Sequence, residues 1–190
     1  MADGLPATVY RPGIVVGDSA TGATQKYDGP YFLASFLARQ TAVALVPALG
    51  DTEQVRVCLV PRDFVVDAMD ELSVLEESRG RTYALVDPDP PTVATVVTTF
   101  ARHLGTRPVW VPLPLWPVHA IVDHVPGMKK LLGLPAEALD YFASPTTYAT
   151  DNTTRDLAAS KLVCPPFESY AHRLLDFMGD HPEYDAKAMT

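Results

Sequence analysis

The residues of this sequence that are best placed to contact a ligand follow a short stretch near the N-terminus. Residues 7–11 (ATVYR) are rich in β-branched and aromatic types and predict a buried strand, which Pro12 and Gly13 end. Ligands of open α/β sheets bind beyond the carboxyl ends of strands, and a Pro-Gly turn presents backbone groups without bulky side chains. The turn at Pro12 and Gly13 is therefore compatible with a ligand beside it, with an ordinary strand-ending turn as the alternative.

A long loop follows this turn. Residues 17–30 contain Gly17, Gly22 and Gly29, and loops of this length are often functional. Polar and aromatic side chains in and next to the loop are candidates for the wall of a substrate site, with a solvated surface loop as the alternative. These candidates are Asp18, Ser19, Lys26 and Tyr31.

Other kinds of chemistry lack the residue spacing that they need. The 5 histidines include no pair four residues apart, so we expect no metal site. The sequence has no Gly-x-Ser-x-Gly, so we expect no catalytic serine. Cys58 and Cys164 match no zinc or redox spacing and predict two reduced thiols in a core. Asp63 precedes a helical pattern and is predicted to cap that helix rather than to catalyse a reaction.

Composition limits the class of protein further. The chain has 190 residues, 47% of them hydrophobic, which predicts one globular domain or one compact part of a larger one. Its formal net charge of −8 argues against a nucleic-acid surface, which needs clustered lysine and arginine. We expect no transmembrane segment, because no run of apolar residues is long enough, and without a signal-like start we expect a cytoplasmic protein.

Strands and helices are predicted to alternate along the chain, which is typical of an α/β fold. The run from residue 81 to 113 reads as strand, helix, strand and predicts a βαβ unit, and the apolar segment 114–143 predicts several short helices. Helices are predicted over 30–44, 64–78, 93–104, 153–160 and 167–181, and strands over 7–11, 55–61, 81–86 and 109–113.

Four motifs, in this order and spacing, resemble one known family. They are LPATVYRPGIVVGDSATG, KYDGPYF, VPRDFVVDAMDEL and CPPFESYAHRLLDFM. Together they resemble the C-terminal half of an extended short-chain dehydrogenase/reductase. The nearest branch is that of fatty acyl-CoA reductases and thioester reductase-like (male sterility) domains, and the resemblance covers nearly all of the chain.

The resemblance implies a fold and a set of site residues. Residues 1–113 would be the C-terminal part of a Rossmann-like, doubly wound parallel sheet with the substrate loop, and 114–190 a small, mostly helical substrate-binding annex. Pro12, Gly13, Ile14 and Val15 would lie beside the nicotinamide of NAD(P). The apolar segment around Trp116 would line a pocket for a hydrophobic or acyl-type substrate.

The sequence also departs from the family pattern. It contains neither a G-x-G-x-x-G loop for the cofactor phosphates nor a tyrosine followed four residues later by lysine. We therefore expect this chain to be inactive alone, to bind no cofactor tightly, and to need an N-terminal Rossmann half or a second copy as partner. The alternative is a non-catalytic α/β binding or regulatory module for a hydrophobic ligand or a partner protein.

Overall fold

The computed structural model describes residues 6–48, 50–112 and 148–184. Within these ranges strands and helices alternate, which confirms the predicted α/β class. The strands are β1 (Val9–Pro12), β2 (Ile14–Val16), β3 (Val43–Ala48), β4 (Leu59–Pro61), β5 (Thr82–Leu85) and β6 (Arg107–Pro112). The helices are α1 (Pro30–Ala38), α2 (Arg62–Ser73), α3 (Val93–His103), α4 (Asp151–Asp156) and α5 (Phe167–Asp180).

The described strands pair in parallel: β1 with β5, β2 with β4, and β3 with β6. Parallel partners need long crossover connections, and α1, α2 and α3 lie in those connections. Two hydrophobic clusters hold the helices on the strands. One surrounds Phe100, Phe167 and Tyr170, and the other packs Phe64 and Leu72 of α2 over β5.

The chain changes strand partners at Gly13. The Gly13 amide donates to the Leu85 carbonyl of β5 at 3.1 Å, whereas the next amide, that of Ile14, donates to the Cys58 carbonyl at 2.8 Å. Successive residues of a strand point their backbone groups to opposite sides. Consequently β5 lies on one side of β1, and β4 lies on the other side of β2, farther along the same extended segment.

β1 is less buried than the sequence predicts. Among the described residues it has one strand neighbour, β5, and Val9 is 37% exposed. Pro12 belongs to the strand instead of ending it. The amides of Val9 and Gly13 donate toward β5, so the backbone groups of Tyr10 and Pro12 face the opposite edge. Pro12 has no N–H, but because it faces that edge, its presence leaves the hydrogen bonds between β1 and β5 intact.

The outer edge of β5 is covered by α4. The side-chain amide of Asn152 donates to the Thr82 carbonyl at 3.0 Å, and the Thr153 hydroxyl donates to the Ala84 carbonyl at 2.8 Å. These two carbonyls point away from β1. The Asn152 and Thr153 side chains therefore donate the hydrogen bonds that a further strand would otherwise donate. Within the described part of the chain, the β1–β5 pair is therefore closed at β5 and open at β1.

The predicted helix over 30–44 is wrong in its second half. α1 begins at Pro30 as predicted but ends at Ala38, and Val43 opens β3, which the sequence did not reveal. The pairing of Val43 with Arg107 and of Ala48 with Pro112 makes this segment a strand. A partner so distant in sequence overrides the local helical pattern.

Other predicted bounds also change. The strand predicted over 55–61 is reduced to Leu59–Pro61, because Arg56 forms a bridge with Thr92 instead. The predicted strand–helix–strand run over 81–113 exists as β5, α3 and β6, but β5 pairs with β1 and β6 with β3, so they do not form one βαβ unit. The helices α3 and α5 are confirmed. The predicted helices of 114–143 lie outside the described residues.

None of the helices in the described ranges combines the length and apolar character that crossing a bilayer requires.

Candidate functional site

The turn predicted to contact a ligand lies where β1 passes into β2. Pro12 is exposed, and Val15 is 42% exposed although it stands in the middle of a strand. Ile14 is half-buried and packs against the core. The described structure therefore presents two apolar side chains, Pro12 and Val15, to solvent at the carboxyl end of β1.

Gly13 has a packing reason to be glycine. A Cβ built on Gly13 would stand 2.5 Å from the carbonyl oxygen of Cys58, closer than real Cβ contacts allow. The tight approach of the chain before β4 therefore requires glycine here, whether or not a ligand lies on the other side.

The side chain of Asp18 closes a turn in the loop. Its Oδ1 accepts hydrogen bonds from the amides of Ala20 and Thr21 and from the Thr21 hydroxyl, at 2.9–3.0 Å. Burial pushes the pKa of Asp18 upward, but these hydrogen bonds and the nearby Arg62 guanidinium together bring it below its ordinary value. Asp18 is thus occupied in shaping the loop as an ionised turn residue.

Ser19 and Asp63, which are distant in sequence, form a direct pair. The Ser19 amide donates to Oδ1 of Asp63 at 2.8 Å, and the Ser19 hydroxyl donates to Oδ2 at 2.5 Å. The prediction that Asp63 caps its helix is wrong. α2 begins at Arg62, with Pro61 at the capping position and no side-chain cap, so Asp63 lies inside the first turn and binds the loop instead.

The other two loop candidates have intramolecular partners as well. Tyr31 is 2% exposed, and its hydroxyl accepts the Gly17 amide at 3.0 Å. Burial raises the pKa of Tyr31 to about 12, so it stays neutral near neutral pH. Lys26 forms an ion pair with Asp28 at 2.7 Å. Trp116, the remaining substrate candidate, lies outside the described residues.

Sequence reasoning missed the residues of α5, and of the cap that follows it, that contact this loop. The Arg173 guanidinium donates to the Ser19 carbonyl at 2.7 Å, and the Tyr27 hydroxyl donates to the His181 carbonyl at 2.9 Å. Among these residues, only Gly22 gave a signal in the sequence, because it is a glycine. In the structure its φ is +76°, and a Cβ built there would lie 2.0 Å from the Arg173 carbonyl oxygen.

A buried carboxyl at the end of β5 was also missed. Asp87 is 7% exposed, and burial raises its pKa, opposed by a hydrogen bond from the Asp89 amide at 2.9 Å. Both cysteines are free thiols, and burial raises the pKa of Cys164 to about 12. A polar residue directly after a buried strand was the available signal for Asp87.

Comparisons with known proteins agree with this architecture. The NAD-binding family model described as "Male sterility protein" matches residues 1–69. The chain is 24% identical over 194 residues to a non-canonical nonribosomal peptide synthetase of Aspergillus hancockii, covering 93% of this chain and 18% of that protein.

Two solved structures are similar in fold. The terminal R domain of the myxalamid PKS-NRPS biosynthetic pathway has a TM-score of 0.72 and 23% identity, covering 98% of this chain and 46% of that one. A thiolation-reductase di-domain from an archaeal non-ribosomal peptide synthetase has a TM-score of 0.62 and 15% identity, covering 95% and 37%. The chain thus spans less than half of either solved chain and less than a fifth of the curated relative.

The parallel strands, the turn between β1 and β2, and the match to the NAD-binding family model agree with the resemblance carried by the four sequence motifs. Residues 1–69 thus match the male sterility NAD-binding family model, and the described fold is similar to that of thioester reductase domains.

Proposed function

We propose that this chain is the C-terminal, substrate-binding portion of an NAD(P)-dependent reductase that acts on a carbonyl, hydroxyl or acyl-thioester-type substrate. The observation that carries the proposal is the arrangement at β1: a parallel strand with an open edge leads directly into an exposed turn. Residues 1–113 form the sheet portion in this proposal, and 114–190 the substrate-binding annex that includes Trp116.

The open edge indicates what kind of partner the sheet needs. The backbone N–H and C=O of Tyr10 point away from β5, toward the side where the described residues supply no strand. Parallel sheets are normally paired and covered, and an unpaired edge invites association. We infer that an N-terminal Rossmann half supplies a parallel strand here, together with the Gly-rich loop and the Tyr/Lys pair. A second copy of this chain is the alternative.

The residues present fit one end of a dinucleotide. Pro12 and Val15 offer exposed apolar surface at the carboxyl end of β1, which suits the flat face of a nicotinamide ring. When bound, NAD(P) supplies or accepts the hydride. Asp18, Ser19, Lys26 and Tyr31 then act on the substrate side indirectly, because their side chains hold the loop in shape.

A charge placed beside the turn tests this function. In the intact protein isolated from its own cells, with any partner chain retained, we would measure NAD(P)H oxidation with octanal and with octanoyl-CoA. Val15→Asp should raise KM for NAD(P)H by about tenfold or more, because a carboxylate would be forced against the ring. The matched control is Val66→Asp, since Val66 is 57% exposed on α2.

Two results would count against the proposal. Equal kinetic constants for the Val15→Asp and Val66→Asp proteins would remove the turn from the cofactor site. Binding of a hydrophobic ligand such as octanal by a protein that binds neither NADH nor NADPH would favour the non-catalytic binding module.

A further inference from the structure

The loop from Gly17 to Gly29 is attached to two separate helices. On the α2 side, both oxygens of the Asp63 carboxylate accept from Ser19, one from its amide and one from its hydroxyl. At its base, the Tyr31 hydroxyl accepts the Gly17 amide inside the core. The first half of the loop is therefore held by side chains from outside the loop.

On the α5 side, the contacts are made at the Ser19 carbonyl, at Gly22 and at Tyr27. Arg173 donates to the Ser19 carbonyl at 2.7 Å, and the backbone of Gly22 lies directly against the Arg173 carbonyl. Near the far end of the loop, the Tyr27 hydroxyl donates to the His181 carbonyl at 2.9 Å. Ser19 thus contacts α2 through its amide and hydroxyl, and α5 through its carbonyl.

The aromatic rings around Tyr27 extend this attachment. Tyr27 packs edge-on against Tyr184 with ring centroids 6.0 Å apart, and Tyr184 stacks on Phe177 of α5 at 6.2 Å. The Tyr27 ring also lies 5.2 Å from that of Tyr31. A continuous set of aromatic contacts therefore runs from α5 through the loop to the start of α1.

We propose that Arg173 and Asp63 are positioning residues of the substrate site, which hold the loop as a preformed wall instead of a lid that closes over substrate. The proposal rests on the proposed function for the identification of this loop as part of the substrate site. Neither residue needs to touch substrate. Asp63 fixes the position of Ser19 relative to α2, and Arg173 fixes the position of Ser19 relative to α5. The C-terminal helix thereby determines the shape of a wall that is formed by residues near the N-terminus.

The proposal explains a glycine that the cofactor site does not. Gly22 has a positive φ and no room for a Cβ, because the carbonyl of Arg173 occupies that space. Gly80 has nearly the same φ, +77° against +76°, but nothing lies within 4 Å of its virtual Cβ. The two glycines have nearly the same φ, and only Gly22 meets α5, so Gly80 serves as the control for the backbone effect of the substitution.

Hydrogen–deuterium exchange on the 190-residue chain, read by mass spectrometry on peptides within residues 17–29, tests the attachment. Arg173→Ala should speed exchange in this loop by about two- to fivefold, because a charge-assisted hydrogen bond is lost at an exposed position. Arg173→Lys, which keeps a cationic donor, should restore most of the protection. Gly22→Ala should speed loop exchange, whereas Gly80→Ala should leave the loop unchanged.

The role in the substrate site is tested on the intact protein by separating the kinetic constants. Arg173→Ala should raise KM for octanoyl-CoA or octanal by about two- to fivefold while KM for NAD(P)H stays the same, and Arg173→Lys should reverse the change. Arg102→Ala, at an exposed arginine of α3, is the control and should change neither constant.

The proposal is overturned if Arg173→Ala leaves loop exchange unchanged or speeds exchange equally in β5 and α3. It is also overturned if the loop loosens and the substrate KM does not move. The exchange experiment needs neither cofactor nor substrate. A wild-type protein that oxidises no NAD(P)H would therefore refute the proposed function without altering the result on the loop.

Discussion

Replacing Asp156 should destabilise the chain far more than its position on a short helix indicates. Its carboxylate accepts from the Arg81 guanidinium and from the Tyr83 hydroxyl, both at 2.7 Å, and from Arg155 at 2.8 Å. The side chain is only 9% exposed. The network joins α4 to β5, the strand whose outer edge α4 covers.

The magnitude follows from burial rather than from distance. The Arg155 bond is exposed and contributes little, while the Arg81 and Tyr83 bonds reach a carboxylate that is only 9% exposed and would be lost together with it. Asp156→Ala should therefore lower the free energy of unfolding by about 2–4 kcal/mol. Asp89 provides the control, because it meets Arg56 at the same 2.7 Å but is 88% exposed. Asp89→Ala should cost less than about 1 kcal/mol.

The effect should also depend on pH in a defined direction. The hydrogen bonds from Arg155, Tyr83 and Arg81 hold the pKa of Asp156 well below its usual range, although burial opposes them. A carboxyl with a lowered pKa in the folded state stabilises the protein above its unfolded pKa, and that stabilisation is lost as pH falls toward the folded value. The difference between wild type and Asp156→Ala should thus be smaller near pH 3 than near pH 7.

Urea denaturation followed by far-ultraviolet circular dichroism measures both effects. Equal losses for Asp156→Ala and Asp89→Ala would refute the reasoning from burial. A difference between wild type and Asp156→Ala that stays constant between these two pH values would refute the electrostatic part, since the contribution of Asp156 would then not depend on its ionisation.

Three further predictions concern glycine packing, thiol reactivity and the open strand edge. Gly13→Ala should lower the free energy of unfolding by about 1–3 kcal/mol, because the added Cβ would meet the Cys58 carbonyl. Gly179→Ala should raise the free energy of unfolding by about 0.5–1 kcal/mol, because Gly179 lies in α5 with open space around its Cβ position. Both are measured by urea denaturation. Cys164 is partly buried, which raises its pKa to about 12, so it should react with iodoacetamide more slowly in the folded chain than in guanidinium chloride near pH 8; equal rates would contradict the raised pKa. In the isolated chain the Tyr10 amide should exchange rapidly while the amides of Val9 and Arg11 are protected by β5, as amide-resolved exchange would detect, and a partner that adds a strand should protect Tyr10.

Local patterns predicted most of the helices. α3 has its apolar stripe at helical spacing, the Thr92 side chain caps it by accepting a hydrogen bond from the Thr95 amide, and Gly105 follows its end with a positive φ. Each of these signals lies within a few residues of the element that it defines, so the sequence alone predicts α3 almost to its ends.

Three features that depend on distant partners were not predicted. β3 is a strand because β6 pairs with it, and its local sequence reads equally well as a continuation of α1. Asp63 has the residue type and position of a helix cap, but Ser19 offers it two donors from another part of the chain. The contact between Gly22 and Arg173 likewise joins residues that no local pattern connects.

The two edges of the β1–β5 pair differ for a physical reason that bears on function. At β5 the outward carbonyls of Thr82 and Ala84 are satisfied by Asn152 and Thr153, side chains that cannot extend a ladder. At β1 the outward donor and acceptor of Tyr10 have no strand partner among the described residues, and farther along the same segment β4 occupies that side from Ile14 onward. A strand added at β1 would end at the turn of Pro12 and Gly13. The partner that completes the sheet would therefore bring its own strand end to the surface where we propose the nicotinamide lies.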